Sequence, residues 1–141
     1  MYILDTDTFS LQLHGQGRVT ACVAAAEAAG ERVAISVVTR AEVLKGRFEY
    51  LLKAADKMHW LRAYDFLVRT EERLAKVAVI PVTETAADHF DRLRAERKRK
   101  KKGHADLLIA CIALAHDATL VTRNVKDFRN VPNLKVENWA D

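Results

Sequence analysis

Short apolar runs alternate with longer stretches of helical period along this chain. Residues 2–4 (YIL), 33–36 (VAIS), 77–82 (VAVIPV), 118–122 (ATLVT) and 134–139 (LKVENW) are short and rich in aliphatic and β-branched side chains, and they read as strands. Between them lie segments long enough to be helices. From about Lys57 to Arg73, Met58, Leu61, Tyr64 and the pair Leu67/Val68 recur at helical spacing and mark an apolar face. From Glu84 to about Lys100, Ala86, Ala87, Phe90 and Leu93 mark another, with Thr83 as its N-cap. Residues 107–115 (LLIACIALA) are apolar almost all round, which predicts a helix buried against the flank of a sheet. Strands alternating with helices imply βαβ units. The expected fold is α/β: a three-layer α/β/α sandwich on a mostly parallel sheet of about five strands. No linker or repeat interrupts it, so residues 1–141 are expected to form a single domain.

At 141 residues, half of them hydrophobic, the chain suffices for one well-packed core and is too short for two ordinary domains. No apolar run approaches the roughly 18 residues a membrane span needs, and Asp5 interrupts the N-terminus, so a cytoplasmic protein without signal peptide or membrane helix is expected. Cys22 and Cys111 stand in helical text without Cys or His at ligand spacing, and read as reduced core residues. The net charge of +4 is unevenly distributed. Arg97, Lys98, Arg99, Lys100, Lys101 and Lys102 are six consecutive cations, preceded by Arg92 and Arg94. Such a run suits a polyanion partner. It also suits a solvated helix end, where cations favour the dipole, and composition leaves both readings open.

The acids carry the chemistry. Asp5 and Asp7, Glu42, Asp106, and Asp127 just after Asn124 each stand where a strand ends or a helix begins, and in a parallel sheet such positions converge on one crevice. Each has a local explanation as well. One of the DTDT residues is expected to cap the next helix, Thr39 to Glu42 fits a capping box, Asp106 complements a helix dipole, and Asn124 and Asp127 are turn formers. Their joint placement argues for more: close carboxylate pairs repel by about 4 kcal/mol each at an effective dielectric near 20, so a cluster of three or four calls for a divalent cation. His104 reads as an exposed loop histidine, with a general-acid role as the alternative. His14, His59, His89 and His116 are scattered without ligand spacing.

Four blocks, DTDTF at 5–9, SVVTRAEVLKG at 36–46, ADLLIACIALAHDATLVTRNVKDF at 105–128 and VENW at 136–139, together resemble the PIN domain, in particular the VapC-type toxins of bacterial toxin-antitoxin pairs. The resemblance implies a Mg²⁺-dependent endoribonuclease, with Mn²⁺ able to substitute, that hydrolyses RNA phosphodiester bonds, tRNA being one candidate substrate. It also implies a homodimer held inactive in a hetero-oligomer by a cognate VapB-type antitoxin. Carried onto this sequence, it makes Asp5, Glu42 and Asp106 the metal-binding acids, with Asn124 or Asp127 completing the catalytic set. Asp7 replaces a common Asn, and KKKGHAD stands where a proline-containing loop is common. Thr6, Asp7, Thr122 and the cations Arg97 to Lys102 are the expected substrate contacts. The stripe Trp60, Leu61, Tyr64 and Leu67, with the first helices after Asp5, is the expected seat for an amphipathic partner helix. Two other readings stand beside this one. A haloacid dehalogenase-type phosphatase also places Asp-x-Asp after its first strand, and a catalytically silent binding module would keep the fold and the basic run.

Overall fold

The computed structural model describes residues 1–96 and 103–141. The cationic run from Arg97 to Lys102 therefore lies outside the described residues. In chain order the elements are β1 (Tyr2–Leu4), α1 (Thr6–Leu13), α2 (Gly17–Ala28), β2 (Val33–Ser36), α3 (Val37–Leu52), α4 (Lys57–Leu74), β3 (Ala78–Ile80), α5 (Glu84–Glu96), α6 (His104–Ala115), β4 (Thr119–Val121), a 3₁₀ turn (Val125–Phe128) and β5 (Lys135–Glu137). Every strand lies within the run that predicts it. The 77–82 run contracts to three residues, ending before Pro81, which has no N–H to offer a ladder.

The five strands order as β3-β2-β1-β4-β5 and every neighbouring pair is parallel. Parallel strands bury both faces, and the two-residue alternation of side chains sorts them into two cores. Ile3, Ala34 and Leu120 enter a core completed by α5 and α6 through Ala86, Leu93, Leu107 and Ile109 to Ala113. Leu4, Ile35 and Val121 enter the opposite core, with Phe9, Val19, Val23, Val43, Leu74 and Trp139. Helices on both faces of one sheet make the expected three layers. The chain runs outward from β1 to β2 to β3, then returns across the sheet to β4. The strand order thus reverses beside β1, the point at which such sheets open a crevice at their carboxyl ends.

Several local expectations hold. Thr83 caps α5, its Oγ1 accepting the Ala86 N–H at 3.2 Å. Cys111 is fully buried, and Cys22 is half-buried against the second core. Among the described residues no helix is long and apolar enough to cross a membrane.

The buried face of α4 differs from the expected one. Met58, Leu61 and Tyr64 remain 59%, 48% and 51% exposed. The helix buries Ala63, Thr70 and Leu74 instead. Those three, at spacings of seven and four, also form a stripe. The small Ala63 and Thr70 let the helix approach its neighbour closely, and the large side chains are left on the outer side, where Trp60 and Tyr64 stack with centroids 6.0 Å apart. In α5, similarly, Ala86 and Leu93 are buried while Ala87 is exposed.

Candidate acidic active site

Asp5 follows β1 directly. Its N–H donates to the Val121 carbonyl at 3.0 Å, fixing the residue at the mouth between β1 and β4. Its Oδ1 accepts the Thr8 N–H at 2.8 Å, so Asp5 itself is the N-cap of α1. The two roles are compatible, because a carboxylate offers about four lone-pair sites and the cap engages one. Asp5 is only 6% exposed, and the cap holds its carboxylate in one orientation.

Glu42 corrects the sequence reading. The N-cap of α3 is Ser36, whose Oγ accepts the Thr39 N–H at 3.2 Å, so the helix begins at Val37 and Glu42 falls in its second turn. No capping box forms there, since the box needs the acid at the third helical position. Freed from the backbone, Glu42 reaches across to α1, where its Oε1 accepts the Thr6 hydroxyl at 2.6 Å. The hydroxyls of Thr6 and Thr39 stand 3.2 Å apart. Each hydroxyl has one proton, and Thr6 gives its own to the carboxylate, so Thr39 is the donor within that pair. Thr39, fully buried, is thus a supporting residue, although in the sequence it reads as a cap. The signal for the true cap is Ser36, a hydroxyl residue at the junction of strand and helix.

Asp106 is the third residue of α6, which starts after Gly103 at φ +88°, a left-handed conformation that glycine adopts at little cost. Asp7 is exposed in the first turn of α1. Beyond β4, Thr122 is buried, its N–H donating to the Glu137 carbonyl at 2.9 Å and its Oγ1 accepting the Asn124 N–H at 3.1 Å. Asn124 leads into the 3₁₀ turn, and its carbonyl accepts the Asp127 N–H at 3.0 Å. Asn124 and Asp127 are both exposed. His104 is the first residue of α6 rather than a loop residue, its ring edge-on to Phe90 at 6.1 Å.

These segments meet electrostatically. Partial desolvation, and then the negative charges of Asp5, Glu42, Asp7 and Asp127, push the Asp106 carboxyl above the usual aspartate range. Asp106 as a whole is solvent-exposed, which screens the repulsion and leaves the crevice open to a cation from bulk. Among the described residues no three Asp, Glu, His or Cys groups are already gathered at metal-holding distance. The donors nevertheless suit a hard divalent cation, because all are oxygens and their mutual repulsion is what such a charge relieves. An ion held by one or two carboxylates, its own waters and a substrate phosphate needs no closed protein cage.

Residues 2–134 match the PIN domain. Over 68 residues the chain is 41% identical to Ribonuclease VapC2 of Rickettsia felis, a stretch covering 47% of this chain and 51%, about half, of that relative. Over 143 residues it is 28% identical to Ribonuclease VapC1 of Haemophilus influenzae, covering 99% of this chain and 98% of that one. The fold matches a chain in the crystal structure of VapBC2 from Rickettsia felis bound to a DNA fragment from their promoter, with a TM-score of 0.73 and 29% identity over 98% of each chain. Sequence match, all-parallel sheet and acidic crevice agree: the chain belongs to the PIN domain family.

Proposed function

We propose that this chain is a divalent-metal-dependent endoribonuclease and the toxin of a toxin-antitoxin pair, as the names of its relatives and the crevice chemistry together suggest. The observation that carries the reading is the match of residues 2–134 to the PIN domain in a chain whose acids converge. Acids from three other segments, Asp5 with Asp7, Glu42 and Asp127, act on the Asp106 carboxyl, an arrangement suited to holding positive charge.

Asp5, Glu42 and Asp106 would hold Mg²⁺, or Mn²⁺ in its place. Bound there, the ion would activate a water and offset charge on the scissile phosphate. The chain's own residues do the rest. The Thr8 N–H and the Thr6 hydroxyl fix the Asp5 and Glu42 carboxylates before substrate arrives, so no reorganisation is needed on binding. Thr122 braces the loop that presents Asn124 and Asp127, the two candidates for orienting the water or the phosphate. Asp7 and Thr6 line the entry, and the cations from Arg97 to Lys102 grip the RNA backbone.

Restraint comes from a VapB-type antitoxin whose apolar helix covers the exposed face of α4, in a hetero-oligomer built on a homodimer. PIN membership removes the phosphatase reading. Cleavage itself would remove the silent-module reading. Purified chain should cut unstructured RNA and tRNA transcripts with Mg²⁺ and not with EDTA, and Asp106→Asn should stop it with the fold unchanged by circular dichroism. Absence of cleavage with either metal, or full activity in Asp106→Asn, rejects the proposal.

A further inference from the structure

Between α3 and α4 a hollow of about 500 Å³ is lined by Gly46, Arg47, Tyr50, Arg62 and Phe66. On the other side of Tyr50 a smaller one, about 160 Å³, is lined by Lys53, Ala54, Ala55, His59 and Ala63. Arg47 is held in place at the first. Its Nε donates to Thr70 Oγ1 at 3.1 Å, and its Cζ lies 4.1 Å from the centroid of the Phe66 ring. Its Nη2 is buried and, among the described residues, has no hydrogen-bond partner. No carboxylate among the described residues pairs with it, and burial lowers its pKa. Arg62 lines the same hollow and, among the described residues, pairs with no carboxylate either, so two cations border one recess whose counter-charge the chain does not supply, which points to an acceptor from outside the chain.

Shape and surroundings select the acceptor. A guanidinium fork is matched by a carboxylate or a phosphate. Arg47 follows Glu42 by five residues, which turns it about 140° around the helix from the acidic crevice, away from the line an RNA strand takes to that site. Around the hollows stand exposed apolar side chains, Tyr50, Trp60, Leu61 and Tyr64, whose area an apolar polypeptide segment can bury. We infer that the α3–α4 hollow is a receptor for the carboxylate of an Asp or Glu side chain carried on an apolar-faced segment of a partner chain, with Arg47 as its anchor and Arg62 beside it. The inference rests on the proposal that a partner docks on this face, and it specifies the contact that fixes its register.

Small probes read the hollow without the partner. Nuclear magnetic resonance titration of the full chain would compare 3-phenylpropionate, the isosteric 3-phenylpropionamide and uridine 5′-monophosphate. The carboxylate is expected to shift the Arg47 Nε–H signal and to bind about tenfold more tightly than the amide, the worth of one charge-assisted hydrogen bond. Arg47→Gln should remove that preference. Gly46→Leu should block the hollow with the helix intact, since a Cβ at Gly46 meets nothing within 4 Å, and it serves if Arg47→Gln fails to fold. Equal binding of acid and amide, tighter binding of the nucleotide, or unchanged binding in Gly46→Leu overturns the inference. Co-purification of a partner on the wild-type chain tests the docking proposal separately. A partner that binds while the acid probe does not sinks only the receptor, and the converse sinks only the docking.

Discussion

The acidic crevice and the α3–α4 cleft are both electrostatically incomplete, and they are incomplete in opposite ways. The crevice gathers anions that, together with partial desolvation, push the Asp106 carboxyl upward, and it is open to solvent. The cleft holds Arg47, with a buried unpartnered donor, and Arg62, in an apolar surround. In the first, a backbone cap and a hydroxyl set the Asp5 and Glu42 carboxylates before anything binds. In the second, the orienting groups are a ring face and a threonine, and the surface beside it is bulky and hydrophobic. On the proposed reading, the difference separates a site for a small mobile ion from one for a folded segment.

The largest effect should come from neutralising an acid in the crevice. Asp5→Asn retains a capping side chain, so α1 should stay formed while metal-dependent RNA cleavage is lost. Retained cleavage would show that the cap was the whole role of Asp5. The parallel pair Asn124→Ala and Asp127→Asn should split, with the larger loss in kcat naming the residue that completes the site.

On the other side of the comparison, Leu61→Glu puts a charge on the exposed stripe, 48% accessible, where it disturbs no core. It should weaken partner binding by about 2 kcal/mol or more, the cost of losing a buried anchor, and leave RNA cleavage intact. Equal affinity by calorimetry would move the docking surface elsewhere.

Thr6→Val removes the proton donor to Glu42 with little change of shape. Mn²⁺ affinity should fall by about 10–100-fold, the usual cost of an orienting partner, with Thr6→Ser restoring it. An unaltered Mn²⁺ titration would mean that Glu42 is not held by Thr6 for metal. A smaller effect is expected from exchanging four of the cations between Arg97 and Lys102 for Gln. The slope of log affinity against log salt for single-stranded RNA should flatten by about 0.7 for each phosphate no longer gripped, and an unchanged slope would mean that these cations do not contact the RNA.

The smallest effect is on stability. Because its carboxyl sits above the aspartate range, folded Asp106 binds its proton more tightly than the unfolded chain does. Across the window between those two values the folded state carries more protons, so metal-free stability falls as pH rises through it and is flat above. Asp106→Asn should therefore raise the melting temperature near neutral pH and remove that part of the pH dependence. A lower melting temperature for the variant would mean that the carboxylate stabilises the fold rather than straining it.

Much of this molecule is readable in its chain, and the places where reading fails have a common cause. The strands are legible because buried parallel strands are short, continuous apolar runs that little else produces. Asp5 and Asp106 are legible because they follow or open such elements. For Glu42 the local reading fails, since a capping box and a side chain reaching to another helix look alike until the true cap, Ser36, sets the register. The face of α4 is misassigned because large apolar residues at helical spacing outweigh the small Ala63 and Thr70 that in fact approach α3. Arg47 escapes notice altogether. A charged residue four positions after the buried Val43 is the available signal, and only tertiary packing shows that its Nη2 lacks an acceptor among the described residues.

The central place of β1 has a kinetic consequence. Synthesised before the other four strands, β1 gains its second neighbour only late, because Tyr2 pairs with Val33 on one side and with Thr119 on the other. Asp5 takes its final position when its N–H finds Val121, and Thr122 in turn is tied to Glu137. Pairings this distant in sequence form late, since the loop between them must close first. On the ribosome, Asp5 therefore takes its final place only after β4 has emerged, and a product that stops short of β4 carries Asp5, Glu42 and Asp106 without the crevice.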